Sequence, residues 1–466
     1  MKNVFKSPNS SFIPNILQQE AELLRIAGLS DTEKLHYLED AVTRLVDQAS
    51  VIQKALDEAK HLQLLNWLSS SRFTRHHQAL SEKRMPHSAT WVLSHSKYRS
   101  WKNSSSSSII LLHGIPGSGK SNICSAVVDS FLNERASNKL AAPVAYYYCH
   151  DCEYEPYRAQ PTEVLRSILR QLTISHDGPP AVRDNIIFEF DRRVAQSNID
   201  GMGLLELTAE DCIKLILEVT SSDPVTIAVD ALDTLDEQNC STLIKALIRI
   251  VNESPNIVKV FLTSRNDSHI FALLPNEESA THSQPASTTE GLKVDVKRLA
   301  INRDDTLQDV KLYVELRLAQ AVDGRHLLRK DPSPELRGLL AESLINGAAE
   351  MFQWVNVQIE YLCLLNREED IRIALQNGTM ATLDATYALV LERILTRRDT
   401  SRNISIRAFS WLLYMREAVP PEAFLAAVFK EASDTSQNST RQDLEMICSS
   451  LVLLDSKCNT FRFSHQ

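Results

Sequence analysis

The sequence predicts an α/β fold: a mainly parallel sheet, then a long helical stretch and a small terminal unit. Three observations lead there. Apolar runs of strand length lie at Ile109–Leu112, Val144–Tyr148, Val225–Val229 and Val258–Leu262, separated by stretches of helical periodicity, as parallel strands require. A glycine-rich loop, Gly114-Ile115-Pro116-Gly117-Ser118-Gly119-Lys120-Ser121, stands between the first run and a helix-compatible segment, Asn122–Asn133. From Thr306 onward the pattern is almost wholly helical until a hairpin near the C-terminus.

The glycine-rich loop organises the chain. Strand, glycine-rich loop and helix in that order are the context a phosphate-binding P-loop needs. Glycines let backbone N–H groups turn inward around a phosphate with no Cβ in the way. The N-terminus of the following helix adds its positive end. Lys120 brings a full charge to the β- and γ-phosphates, and Ser121 offers a hydroxyl to Mg²⁺. The chain has only 12 Gly, and three fall in these eight positions, so the loop is not a by-product of a glycine-rich composition.

A chain of 466 residues holds about two to four domains. Acidic residues outnumber basic ones, 59 to 50, and the net charge of −9 excludes a basic field for nucleic acid. Met1–Pro14 lacks the apolar core of a signal peptide, and no apolar run reaches membrane-spanning length. Eight scattered Cys form no framework, so a cytoplasmic protein with reduced thiols is expected. Cys149-His150-Asp151-Cys152 has C-x-x-C spacing, but zinc needs a second ligand pair and none is visible, which leaves a strand-end loop.

Taken in order, residues 1–12 are polar. Ser30 and Glu33 have capping-box spacing. Leu35, Leu38, Ala41, Leu45, Ala49, Ile52, Leu56, Ala59 and Leu62 then draw an apolar stripe along a helix of roughly eight turns. The stripe packs either on the domain behind it or in self-association or on a partner helix. Leu65–Trp101 holds three of the five Trp, which either line an adenine pocket or pack on the sheet edge. Asn103–Ser108 is a Ser-rich joint.

Beyond the loop helix, Thr162–Leu172, Val182–Val194 and Thr208–Val219 read as helices. The strand Val225–Val229 ends in Asp230, and a carboxylate at a strand tip downstream of a P-loop suits Mg²⁺. Asp233 and Asp236 follow on the same loop, and Leu243–Val251 is helical. Val258–Leu262 ends in Thr263-Ser264-Arg265, and a cation at the C-terminal end of a strand can reach a γ-phosphate. Asn276–Gly291 reads as a polar insertion and Leu292–Val296 as the last strand. Helices follow at Leu307–Ala319, Pro334–Leu365, Glu368–Gln376 and Leu383–Leu395. The final unit has helices at Ile404–Arg416, Pro421–Lys430 and Arg441–Ser450, then a hairpin, Leu451–Ser456 and Thr460–Ser464, turning at Lys457-Cys458-Asn459. Three helices and a terminal hairpin suggest a winged helix.

In this combination the chain resembles the NACHT-type STAND nucleotide switches of filamentous fungi, relatives of the animal NOD-like receptors. Before the P-loop, Trp67-Leu68, Arg84, Trp91-Val92-Leu93 and Trp101 resemble a nephrocystin-like N-terminal module. The P-loop itself, Asp230-Ala231-Leu232-Asp233 and Phe261-Leu262-Thr263-Ser264-Arg265 match the core. Met351-Phe352-Gln353-Trp354-Val355, Thr382-Leu383-Asp384-Ala385-Thr386-Tyr387 and Phe461-Arg462-Phe463-Ser464-His465 match further on. The resemblance covers residues 63–466 and leaves out the N-terminal helix.

It implies a switch that is closed with ADP, opens with ATP and Mg²⁺, and forms a homo-oligomer in the ATP state. His465 would contact ADP, and an unknown protein partner would meet the N-terminal helix. A C-terminal sensor would be absent or lost by truncation, since family members continue where this chain stops. Three positions depart from the family. Thr234 stands where a water-orienting Glu is usual, Ser88-Ala89 replaces Thr-Gly, and Glu350 replaces a Gly.

The expected architecture is thus an N-terminal helical segment (1–62), a pre-P-loop module (63–106), a P-loop NTPase core (107–300), a helical domain (301–400) and a winged-helix domain (401–466). The expected function is a nucleotide-dependent signalling switch. The alternatives are a nucleotide-binding scaffold without hydrolysis and a metabolic P-loop enzyme. Asp233 and Arg265 are the candidate catalytic residues, residues 114–121 and His465 the nucleotide ligands, and Ser121 and Asp230 the metal ligands.

Overall fold

The structure is a computed structural model. It describes residues 31–466 apart from 151–155, 176–180, 202, 267, 276–293, 325–326, 329–331, 349, 364, 366, 377–387, 389–390, 393, 397–398, 418, 430–440, 449–450, 456–458 and 464–466. The chain forms two compact units, residues 1–67 and 68–466.

The first unit is described through helix α1, Asp31–Leu68, which runs one residue past the unit boundary. No Gly or Pro interrupts it, so it continues past residue 62, where the sequence reading placed a boundary. Ser30, the expected cap, lies outside the described residues. Every side chain from Val42 to Lys60 is exposed.

The second unit opens with α2 (Phe73–Lys83), α3 (Trp91–Ser94) and α4 (Ser96–Asn103). A five-stranded sheet follows, built from β1 (Ser108–His113), β2 (Val144–Tyr148), β5 (Val225–Asp230), β6 (Val258–Ser264) and β7 (Asp295–Ala300). The order across it is β2-β5-β6-β1-β7, with every neighbouring pair parallel. Ile110 of β1 lies opposite Phe261 of β6 and Lys297 of β7. β1, β5 and β6 are buried on both faces, which explains why they read as continuous apolar runs.

Helix α5 (Lys120–Ser137) follows β1, α6 (Pro161–Thr173) follows β2, and α7 (Asp184–Asp200) and α8 (Ala209–Thr220) precede β5. α9 (Glu237–Glu253) joins β5 to β6, and α10 (Ser268–Leu273) follows β6. Two expectations shift. Val182 is not helical: it pairs with Ile174 in a short antiparallel ladder, β3 (Ile174–Ser175) with β4 (Ala181–Val182), and α7 starts two residues later. The last strand runs from Asp295 to Ala300, and Leu292, where the sequence reading began it, lies outside the described residues. β7 is an edge strand in which Val296 and Leu299 are buried beside the polar Lys297 and Arg298, so apolar content placed it too early.

The aromatics before the loop pack on the sheet. Trp101 is fully buried, with ring centroids 6.3 Å from Phe131 and 6.1 Å from Phe261, and its indole N–H donates to the Ser108 carbonyl at 3.2 Å. Tyr98 joins the same cluster. Of the two readings for this stretch, core packing holds for both residues.

A partly buried polar network fastens α2 to α5. His77 reaches the Tyr148 hydroxyl (Nδ1, 2.7 Å) and Asp129 (Nε2, 2.9 Å). Ser81 and Arg84 donate to the other Asp129 oxygen at 2.9 and 2.6 Å, and Arg84 also donates to Ser125 at 2.6 Å.

Helices α11 (Arg303–Asp323), α12 (Pro334–Gly347), α13 (Phe352–Cys363) and α14 (Glu368–Gln376) share a core that includes Val314, Leu340, Val355 and Ile371. The single helix expected over Pro334–Leu365 is two. The Trp354 ring packs so closely on Gly347 that a Cβ there would overlap it, and Glu350 takes the left-handed conformation at φ 75°. A left-handed residue cannot continue a right-handed helix. Most of Leu383–Leu395 lies outside the described residues. The last unit comprises α15 (Asp399–Tyr414), α16 (Pro421–Phe429), α17 (Arg441–Ile447) and the antiparallel pair β8 (Val452–Asp455) and β9 (Thr460–Phe463). They enclose a separate cluster in which Phe424 stacks on Phe461 at 5.0 Å.

Burial holds the His77 pKa below its ordinary 6.5, although Asp129 pulls it upward. The unfolded chain therefore binds the proton more readily than the folded one. This part of the stability is present above pH 6.5 and is lost as pH falls below it. The melting temperature should drop between pH 7.5 and 5.5, less steeply in His77→Gln. Asp129→Asn should cost about 2 kcal/mol at pH 7.5 in urea unfolding, because it weakens three contacts at once. Equal slopes in the two proteins would remove His77 from this account.

Candidate functional site

The glycine-rich loop joins the C-terminal end of β1, in the interior of the sheet, to the first turn of α5. Two of its glycines are left-handed, Gly117 at φ 75° and Gly119 at φ 83°, and Gly119 caps α5. Gly114 is held by close approach instead: a Cβ there would meet Ser118 Oγ at 3.0 Å and Ile301 at 3.2 Å. The loop is thus a cradle that side chains would fill. Lys120 turns back across it and donates to the carbonyls of Gly114 (3.0 Å) and Ile115 (2.8 Å). Burial lowers the Lys120 pKa, while Asp233 and Asp230 oppose that shift. Ser118 is buried within the loop, and Ser121 is half-buried on the first turn of α5.

The strands beside β1 in this direction bring the other groups. Asp230 ends β5, is 3% exposed, and accepts from the Thr263 hydroxyl at 2.5 Å. The same Thr263 oxygen accepts from the N–H of Ala231, a left-handed residue at φ 58°. Asp233 lies on the short 3₁₀ turn Leu232–Thr234 and is nearly buried. It accepts the Arg265 backbone N–H at 3.0 Å and pairs with Arg265 Nε at 2.8 Å. Thr234 donates its hydroxyl to the Ala231 carbonyl at 2.8 Å. Asp236 is the N-cap of α9 and accepts from Asn239 N at 2.8 Å, a structural duty.

The donor set fits a nucleotide phosphate with a hard divalent cation. Left-handed glycines free the loop amides, the lysine supplies charge, and Ser121 with Asp230 offers oxygen ligands. The core has a P-loop nucleoside triphosphatase fold. A family model described as "Nephrocystin 3, N-terminal" matches residues 87–265. No curated protein matches.

Solved structures are similar at low identity. The Aeropyrum pernix ORC1 protein, solved in complex with DNA, is 13% identical, with TM-score 0.35, over 82% of this chain and 90% of that one. A Pyrococcus horikoshii signal transduction ATPase with numerous domains (STAND), which carries a tetratricopeptide repeat sensor, is 12% identical, with TM-score 0.33, over 77% of this chain and 39% of that one. A Walker-type ATPase of Pyrococcus abyssi is 15% identical, with TM-score 0.33, over 82% of this chain and 93% of that one. Similarity at this level is too low to transfer a function.

The structure therefore brings residues 114–121, Asp230, Asp233 and Arg265 to the same ends of β1, β5 and β6. His465 lies outside the described residues, as do Asp151 and Cys152 of the C-x-x-C segment. Cys149 is buried at the end of β2, where burial pushes its thiol pKa up. Among the described residues no group of three or more His, Cys, Asp or Glu is placed to hold a metal. No described helix is long and apolar enough to cross a membrane.

Sequence reasoning missed three contributors. Thr263, read only as part of a strand end, joins Asp230 to the backbone at Ala231. His113 ends β1 and reaches Asn266 Oδ1 at 2.8 Å, with its pKa lowered by burial. Met351–Gln353 lies on the loop itself: Phe352 N–H donates to the Gly117 carbonyl at 3.0 Å, and the Phe352 ring packs 3.5 Å from where a Gly119 Cβ would sit. The Met-Phe-x-Trp motif was visible in sequence, but nothing there said what it touches.

The left-handed region costs a non-glycine residue roughly 1–2 kcal/mol. Glu350→Gly should therefore raise stability by about 1 kcal/mol or slightly less, after the added entropy of the unfolded chain. Gly117→Ala should lower it, because a methyl there would come within 2.7 Å of Gln353 Cβ at a φ unsuited to alanine. Urea unfolding of both variants checks the pair, and destabilisation by Glu350→Gly would contradict this geometry.

Proposed function

We propose that the chain is a nucleotide-dependent signalling switch of the NACHT/STAND kind, cytoplasmic, with ATP/ADP and Mg²⁺ as its ligands. The observation that carries the reading is the convergence of Lys120, Asp230 and the Asp233–Arg265 pair at the C-terminal ends of three neighbouring parallel strands. Ligands of open α/β sheets bind at that end. The loop amides and Lys120 would hold the β- and γ-phosphates, and Ser121 with Asp230 would hold Mg²⁺. Asp233 would assist, and Arg265 would leave it to meet a γ-phosphate. The C-terminal unit would act as a winged helix that brings His465 to ADP. The ATP state would be a homo-oligomer, and fungal non-self recognition or regulated cell death is the setting the resemblance suggests.

Nucleotide released from the purified protein by denaturation tests the switch: retained ADP supports it, and an empty site counts against it. Lys120→Ala should abolish binding of ATP with Mg²⁺ in isothermal titration while the protein stays folded. Equal affinity in mutant and parent would overturn the assignment.

A second reading, a nucleotide-binding scaffold without turnover, is favoured by Thr234. Its hydroxyl is engaged with the Ala231 carbonyl, and it offers no carboxylate to orient water. Hydrolysis in the parent should therefore be slow or absent, and Thr234→Glu should raise it. Brisk turnover in the parent, unchanged in Asp233→Asn, would show that this loop is misread.

A further inference from the structure

With Val42 in place of Ala41, the apolar row of α1 follows a stricter pattern than amphipathicity requires. Leu35, Leu38, Val42, Leu45, Ala49, Ile52, Leu56 and Ala59 alternate at spacings of three and four without a break, which is a seven-residue repeat. An ideal helix drifts by about 20° per heptad against such a repeat, so over this length the row wanders by roughly 70° around a straight helix. A fixed globular surface is poorly matched to a row that wanders. A second helix that supercoils with α1 stays on it.

The side chains of the described part of this row stand open. Val42, Leu45, Ile52 and Leu56 are 57%, 64%, 61% and 59% exposed. Helices of this kind gain most of their stability from packing an apolar face, and α1 shows none from Val42 to Lys60. We propose that this face is an interface between copies of the chain, with α1 of one molecule pairing along α1 of another.

Three features point to a second copy as the occupant. Among the described residues no other helix is as long: the next, α11, has 21 residues against 38. Among the described residues no second helix is long enough to match this seam, and an identical α1 supplies one. Of the positions flanking the row, Ala41, Val46, Gln48, Gln53 and Ala55 are uncharged, and Lys34, Glu39 and Lys60 are charged. Lys34 and Glu39 stand five residues apart with opposite signs, which suits the flanks of a parallel pair of identical helices. Arg44, Asp47, Lys54, Asp57 and Glu58 occupy the positions that face away from the seam. Ala49 and Ala59 within the row let the helix axes approach closely. The pairing requires no nucleotide and stands independently of the phosphate-loop reading.

Light scattering coupled to gel filtration on the full, nucleotide-free chain tests it. The mass should be a multiple of 52.5 kDa and should rise with concentration. Leu45→Lys/Ile52→Lys should bring it to a monomer with the melting temperature of the second unit unchanged, because both residues are exposed on α1. Ala49→Cys, in the seam, should form an interchain disulfide on mild oxidation, and Ser50→Cys, one residue off the seam, should not. A parent that is monomeric at every concentration would overturn the proposal. So would a charged variant that keeps the parent's mass, or two cysteines that cross-link equally.

Discussion

The Lys120 ammonium sits where burial works against its charge, and backbone carbonyls hold it there. Gly114 and Ile115 turn their oxygens onto it, and the negative field of Asp230 and Asp233 opposes the lowering of its pKa. This arrangement requires a loop that doubles back within a few residues, which left-handed glycines at 117 and 119 allow. It also requires a rigid platform on each side. β1 lies between β6 and β7 in the sheet, and α5 is fastened to the pre-loop helices through Asp129 and Ser125. A displaced β1 or α5 would move the loop, and Lys120 with it.

The partners on the neighbouring strands are held with different firmness. Asp230 is buried and tied to Thr263, so its carboxylate has a fixed position. Arg265 is 55% exposed and pairs with Asp233 at the rim. The guanidinium is open to solvent, whereas the Asp233 carboxylate is 8% exposed and is held by both the Nε and the backbone N–H of Arg265. In the proposed switch, a fixed Asp230 carboxylate and a solvent-open Arg265 guanidinium suit a site that binds first and reads the phosphate afterwards.

Most of the sheet was legible because its central strands are buried on both faces and bounded by recognisable motifs. The phosphate loop and Asp230 were legible because their spacing has a chemical reason. β7 was misplaced because an edge strand mixes Lys297 and Arg298 with its two core residues. The break between α12 and α13 was missed because Pro334–Leu365 has continuous helical periodicity. What stops the helix is a tertiary demand, Trp354 against Gly347, together with a left-handed Glu350 that no propensity favours. Thr263 and Phe352 act through contacts distant in sequence, and periodicity carries no information about those.

Ala89 and Glu350, two positions where the resembled family carries glycine, share a feature in the structure. Both residues are left-handed, at φ 59° and 75°. Each stands at a place where the helical region is joined to the core by a backbone N–H. Ala89 N–H donates to Asp309 of α11 at 2.6 Å, and the turn at Glu350 leads directly to Phe352, whose N–H reaches the Gly117 carbonyl. Burial pushes the Asp309 pKa up, and the Ala89 hydrogen bond offsets part of that shift. Strain of roughly 1–2 kcal/mol at each joint is comparable to the net value of the single hydrogen bond beside it, about 1.5–3 kcal/mol for a carboxylate acceptor such as Asp309 and about 0.5–1.5 kcal/mol for the Gly117 carbonyl. The strain therefore offsets much of what each hydrogen bond contributes, so the two joints fix where the helical region meets the core while adding little net stability of their own.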